Sequence, residues 1–172
     1  RVISEHKVSV MFTAPTAFRA IKRVDSNAEF LKKYDMTGYR ALFLAGERCD
    51  PDTLKWAQDI LGVPVIDHWW QTETGWAIAS NLMGVEELPV KPGSPTKAVP
   101  GYDVQILDEN GREQEAGEIG RIMIKLPLAP GCLPTLWQND DRYVESYLSA
   151  EPGYYLTGDA GMKDEDGYLF IM

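Results

Sequence analysis

The chain has 172 residues, 44% of them hydrophobic and 25% charged, with a formal net charge of −9. That length suits one domain with a real core or two small lobes, and the acidic balance argues against nucleic acid as the main partner. No apolar run approaches the ~20 residues needed to span a bilayer, and Arg1 to Phe12 reads as a helix end and a strand, not a secretory signal. The two cysteines, Cys49 and Cys132, form no Cys-x-x-Cys and have no histidine pair nearby. Buried thiols in a reducing compartment are therefore expected, in preference to a disulfide framework or a zinc site.

The first half alternates strand and helix patterns. Val8 to Phe12 is a short β-branched run and predicts a buried strand. Pro15 then opens a helix to Val24, with Phe18, Ile21 and Val24 at helical spacing. Arg40 to Ala45 predicts a second buried strand. Asp50 caps the next helix, Pro51 fills its first turn, Leu54, Ala57 and Leu61 share one face, and Gly62 ends it. Val63 to Asp67 predicts a third strand. The order strand-helix-strand-helix-strand implies an α/β fold with a parallel sheet over residues 1–90.

Residues 91–172 have a different character. Pro89 to Pro100 is dense in Pro, Gly and Lys and suits a linker or bend. Tyr102 to Leu107, a turn at 108–111 and a strand over Ile119 to Leu126 follow. A short helix is expected from Asp140 to Leu148. A last hairpin pairs Tyr155 to Met162 with Tyr168 to Met172 across a Lys-Asp-Glu-Asp-Gly turn. The carboxylates at 164–166 in that turn are expected to face water. This half reads as a small antiparallel barrel or sheet. Because the last strand stops on apolar residues, the chain is expected to be an internal piece of a longer one.

Ligands of open parallel sheets bind at the carboxyl ends of the strands, where loops and helix N-termini gather. Those ends carry Thr13-Ala14-Pro15, then Ala45-Gly46-Glu47-Arg48, then Asp67-His68-Trp69-Trp70-Gln71-Thr72-Glu73. Trp69 and Trp70 read either as a flat face for a purine and a stopper for an apolar pocket, or as core residues. Thr72 and Glu73 offer hard oxygen groups suited to phosphate and Mg²⁺. Gly46 allows close backbone approach. His68 reads as a general base or as a structural histidine. Thr157-Gly158-Asp159 reads as a carboxylate placed for the two hydroxyls of a ribose, or as an ordinary turn.

Six ordered blocks resemble the adenylate-forming superfamily, and within it the acetyl- and propionyl-CoA synthetase branch. They are FTAPTAFRAI at 12–21, AGERCDP at 45–51, DHWWQTETG at 67–75, KPGSPTKAVPGYDVQILD at 91–108, EIGRIMIKLPLAPG at 118–131 and GYYLTGDAG at 153–161. The resemblance covers the whole chain and implies an AMP-forming ligase. A carboxylate attacks the α-phosphate of ATP, and coenzyme A then displaces AMP from the acyl-adenylate.

By the same resemblance, Thr72 contacts phosphate, Glu73 holds Mg²⁺, and Gly46, Glu47 and Arg48 border the adenine. Asp67, His68, Trp69, Trp70 and Gln71 line the nucleotide pocket, and Asp159 grips the ribose. Thr13, Ala45 and Trp70 would shape the acyl pocket. A bulky indole at Trp70 leaves room for only a few carbons. Ala45, where acetate-specific members tend to carry valine, favours propionate over acetate. The family's Gly-Glu-Pro is Gly46-Glu47-Arg48 here, and its usual threonine after the strand aspartate is His68, so backbone contacts are the expectation at Arg48 and His68.

A Ser/Thr/Gly-rich phosphate loop and the lysine of the mobile C-terminal domain do not occur in these residues. The polypeptide alone is therefore expected to form no acyl-CoA and to need the remainder of its parent chain. A bacterial cytoplasm or a mitochondrial matrix would suit it. Aryl-CoA ligases, peptide-synthetase adenylation domains and a catalytically silent nucleotide-binding module are the alternatives.

Overall fold

The computed structural model describes all residues from Arg1 to Met172. A short helix α1 (Val2–Glu5) leads into β1 (Val10–Thr13), α2 (Pro15–Val24), β2 (Ala41–Leu44), α3 (Pro51–Leu61) and β3 (Val65–Asp67). The strands pair in parallel in the order β1-β2-β3, as the alternating pattern predicts. Asp50 accepts a hydrogen bond from the Thr53 N–H at 2.8 Å and Gly62 closes α3 in the left-handed region, φ +65°, so both ends follow the sequence signals.

Helix α2 departs from its pattern in one respect. Phe18 is buried, but Ile21 and Val24 are exposed, Val24 by 81%. Its N-cap Ala14 offers no side-chain acceptor. Glu47 substitutes from the end of β2, accepting from the Thr16 N–H at 2.8 Å and from its hydroxyl, while pairing with Arg19 at 2.7 Å. The first core gathers Phe18, Leu42, Leu44, Cys49, Leu54 and Val65 beneath these helices.

Two antiparallel sheets complete the fold. The smaller consists of β4 (Trp69–Trp70), β5 (Ala77–Ser80) and β6 (Lys97–Ala98), in that order. None of these three strands is foreseen from the sequence. The stretch read as a linker contributes β6 and buries Ser94 and Thr96. There the Ser94 hydroxyl donates to the Leu169 carbonyl at 2.5 Å and the Leu169 N–H to the Thr96 carbonyl at 2.8 Å.

The larger sheet runs β10-β9-β8-β7, from β7 (Asp103–Leu107), β8 (Gly120–Lys125), β9 (Tyr154–Lys163) and β10 (Leu169–Ile171). Its inward side chains Val104, Ile106, Ile122, Ile124 and Tyr155 pack with Ile78 of β5 in a second core. The helix expected from Asp140 forms as α4 (Asp140–Tyr143) and widens into a π-helical turn over Val144–Leu148. The 164–166 turn does not simply face water. Lys91 sits over the Tyr168 ring and reaches Asp164 at 2.5 Å and Asp166 at 2.6 Å. Cys49 is buried as expected, whereas Cys132 is half-buried and contacts the Tyr102 hydroxyl at 3.3 Å.

Gly161 tests how tightly the larger sheet is built. A Cβ there would lie 2.3 Å from the Phe170 carbonyl oxygen and 2.8 Å from Ile122 Cδ1. Gly161→Ala is expected to lower stability by about 1–3 kcal/mol through overpacking. A urea midpoint unchanged from the parent would show that β10 yields freely.

Candidate functional site

Strand register levels the carboxyl ends. Thr13 pairs with Leu44, and Leu44 with Asp67, so the segments after β2 and β3 emerge side by side. Gly46, Glu47 and Arg48 form one wall of a cleft of about 220 Å³, and Asp67, His68, Trp69 and Trp70 form the next. Asp159 reaches the same cleft from β9. Eight of the residues singled out from the sequence are thus brought together. Thr13, Ala45, Gln71, Thr72 and Glu73 lie off its walls.

Four further wall residues, Gly93, Pro95, Ile171 and Met172, escape the sequence reading. For the first two the signal was present, since Lys91-Pro-Gly-Ser94 is one of the recognised blocks, but its density in Pro and Gly resembled a linker.

Each wall residue has a distinct electrostatic role. Gly46 sits at φ +98°, a conformation open to glycine that turns the backbone into the cleft. The Glu47 carboxylate is committed to α2, so this residue offers the cleft its backbone. Arg48 forms no ion pair, and a side chain on Gly93 would meet its guanidinium at 3.5 Å. Asp67 is only 7% exposed. Burial pushes its carboxyl up to about 7, against the opposing pull of the Cys49 and His68 backbone N–H groups and the Arg48 charge.

Burial also lowers the pKa of His68, which keeps the imidazole neutral. Its ring is packed at 5.1 Å from Phe12 and 5.8 Å from Phe43, and its buried Nδ1 has no hydrogen-bond partner.

Thr157-Gly158-Asp159 is not a turn. It lies inside β9, where the pairing jumps from Arg121↔Ala160 to Met123↔Leu156 and Gly158 takes φ +78°. Such a bulge re-aims side chains out of the ladder. The Asp159 carboxylate accepts from Trp69 Nε1 at 3.0 Å and from Gln71 Nε2 at 2.8 Å, both on Oδ2. Gln71 Nε2 also donates to the Thr157 carbonyl at 2.7 Å, while its Oε1 accepts from the Tyr155 hydroxyl at 3.2 Å. Gln71 is therefore a support behind the cleft wall.

Beyond Gln71 the chain makes a tight 3₁₀ turn over Thr72–Thr74, closed by Gly75 at φ +67°. Thr72 is exposed and Glu73 half-buried. The Leu133 N–H donates to the Glu73 carbonyl at 2.7 Å, and the Tyr147 hydroxyl to Glu73 Oε1 at 3.0 Å. On the other side of His68 and Trp70 opens an apolar cleft of about 540 Å³, walled also by Phe12, Phe43 and Trp76. His68 and Trp70 thus partition a polar cleft from an apolar one. Ala45 is buried and lies on neither wall.

A polar cleft at parallel strand ends, with a carboxylate on its wall and an apolar cleft beside it, lies where open α/β sheets place their ligands. The sequence model of the AMP-binding enzyme family matches residues 1–131, and the chain belongs to that family. It is 48% identical over 173 residues to the mouse mitochondrial acyl-CoA synthetase short-chain family member 3, all of this chain and 25% of that protein. To the Escherichia coli propionate–CoA ligase it is 41% identical over 174 residues, covering 99% of this chain and 27% of the ligase. An uncharacterized Pseudomonas aeruginosa protein is 51% identical over 172 residues, all of this chain and 27% of its own length. The chain therefore spans about a quarter of the length of these curated relatives.

Proposed function

We propose that the full-length enzyme containing this chain is a short-chain acyl-CoA synthetase. In the first step a carboxylate oxygen attacks the α-phosphorus of ATP, and the bond to the bridging oxygen breaks to release pyrophosphate. In the second the coenzyme A thiol gives up its proton, attacks the acyl carbonyl carbon and expels AMP. The observation that carries this reading is the shared wall of His68 and Trp70 between the two clefts. A nucleotide in the polar cleft and an acyl chain in the apolar one would meet there. The names of the relatives, with propionate and short acyl chains among them, support the same assignment.

Within this proposal the residues act by binding and orientation, which suffices for chemistry governed by positioning and charge neutralisation. Trp69 lends a flat face to the purine and Asp67 an acceptor for its amino group. Asp159 holds the ribose hydroxyls, steadied from behind by Trp69 Nε1 and Gln71. Thr72 and Glu73 face the phosphates.

Their donor set fits Mg²⁺, being a carboxylate and an adjacent hydroxyl, both hard oxygen ligands. No group of three or more His, Cys, Asp or Glu side chains gathers in the structure, so phosphates and water would complete the coordination. When bound, the ion would offset phosphate charge as pyrophosphate departs.

No helix is long and apolar enough to cross a membrane. We place the enzyme in a bacterial cytoplasm or a mitochondrial matrix, the latter by analogy with its mitochondrial relative.

The test is carboxylate-dependent AMP release by the full-length enzyme, with acetate, propionate, butyrate and benzoate in turn. Propionate is expected to give the highest kcat/KM, within the roughly 10–200-fold that one methylene discriminates. Because Ala45 is off the cleft walls, Trp70 carries the size argument, and Trp70→Gly is expected to move the optimum to longer acids. An optimum that stays on propionate in that variant would show that Trp70 does not bound the pocket. No AMP with any acid would leave a nucleotide-binding module.

A further inference from the structure

The π-helical turn at Val144–Leu148 is the one wide turn in the chain. Wide turns of this kind recur at functional sites because they displace a side chain from the regular helix face. Tyr147 lies within this turn. Its ring stacks on that of Tyr155, centroids 5.5 Å apart and planes within 4° of parallel. The two phenols then diverge. Tyr147 donates to Glu73 Oε1 at 3.0 Å, and Tyr155 donates to Gln71 Oε1 at 3.2 Å. Tyr155 is fully buried, so its hydroxyl needs that partner.

Each hydrogen bond settles an orientation that would otherwise be free. A phenol on Oε1 leaves Glu73 its second oxygen for a ligand. A phenol on the Gln71 carbonyl oxygen forces Nε2 toward Asp159 and the Thr157 carbonyl, where it is found at 2.8 and 2.7 Å. Neither tyrosine lies on the walls of the polar or the apolar cleft.

We propose that Tyr147 and Tyr155 are positioning residues for the ligation reaction: one phenol aims the Glu73 carboxylate, the other orients the Gln71 amide on Asp159, and their stacked rings hold the two at a fixed spacing. This rests on the reading of Glu73 as the carboxylate that holds Mg²⁺ and of Asp159 as the ribose grip.

Two conservative variants of the full-length enzyme separate the two ends. Tyr147→Phe keeps the stack and removes one donor. It is expected to lower kcat by about 10–100-fold, the loss of one hydrogen bond to a charged group. It should also raise the Mg²⁺ concentration needed for half-maximal rate, with the Kd for AMP measured calorimetrically without Mg²⁺ unchanged. Tyr155→Phe is expected to do the converse, weakening metal-free AMP binding by roughly 3–10-fold while the Mg²⁺ requirement stays put.

If both variants shift both readouts together, or neither, the separate positioning roles are wrong. Glu73→Gln run alongside distinguishes the underlying reading. Its retaining full activity would overturn that reading and the proposal together, whereas its loss beside an unaffected Tyr147→Phe would overturn the proposal alone. Should either phenylalanine variant fail to fold, Tyr147→Met and Tyr155→Met also remove the donor while keeping apolar bulk, and the same divergence between readouts is required of them.

Discussion

Glu73→Gln is expected to lower carboxylate-dependent AMP release by the full-length enzyme about 10²–10³-fold, the effect of removing one pre-organised charge-stabilising group. The substitution is close to isosteric. The turn that carries it is held by backbone contacts, the Leu133 N–H on the residue-73 carbonyl and the closure at Gly75. An amide oxygen can still accept from Tyr147. What is lost is the negative charge, and with it the hard anionic ligand for a divalent cation. The melting temperature and metal-free AMP binding should therefore match those of the parent. Loss of activity with a lowered melting temperature would mean instead that residue 73 is a structural element of the turn.

Asp67→Asn is expected to remove a pH dependence of stability and to stabilise the chain at pH 8. The folded carboxyl is pushed up to about 7, chiefly by burial, while an unfolded aspartate titrates near 3.9 or so. Between those values the folded chain holds a proton that the unfolded chain has released. The contribution of this group is thus complete below about pH 4 and is lost as pH rises through about 7. The total is of order 4 kcal/mol as an upper bound.

Asparagine keeps an acceptor for the neighbouring N–H groups without the ionisation. The informative readout is the difference between the two chains in urea denaturation across pH 4 to 8. Carboxylates held low in both, such as Asp108 beneath the Arg112 N–H, act in the opposite direction and cancel. A difference independent of pH would show that Asp67 ionises normally in the folded chain.

Sequence patterns were most legible where the determinants were close neighbours. Asp50-Pro51 and Gly62 bracket α3 at the expected residues, and β1, β2 and β3 form within a residue or two of their predicted runs, although β1, expected to be buried, is an edge strand with Val10 and Phe12 exposed. The residues of the polar cleft were named from motif blocks and strand ends, and eight of them meet. The small sheet was illegible for a physical reason. Ala77-Ile-Ala-Ser80 is alanine-rich and weak in intrinsic β preference, yet every residue of it is buried. It becomes a strand because partners on both sides, Trp69–Trp70 and Lys97–Ala98, supply its hydrogen bonds.

The Thr157-Gly158-Asp159 triplet shows the same limit from the other side. Its composition matches an ordinary turn, and only the ladder with β8 reveals that it is a bulge within one long strand. Glu47 is a third case. Its place in a motif suggested the cleft, but its carboxylate serves a helix whose own N-cap lacks an acceptor.

The sequence by itself determined the alternation of strands and helices up to β3, the caps of α3 and the family, because those depend on residue types at short spacing and on motifs written contiguously. Only the tertiary structure decided which side chains face a ligand and which face one another. Trp69 meets Asp159 across 90 residues, and Tyr147 meets Glu73 across 74. Such contacts are selected by the packing of three sheets around two cores, and no local preference along the chain encodes them.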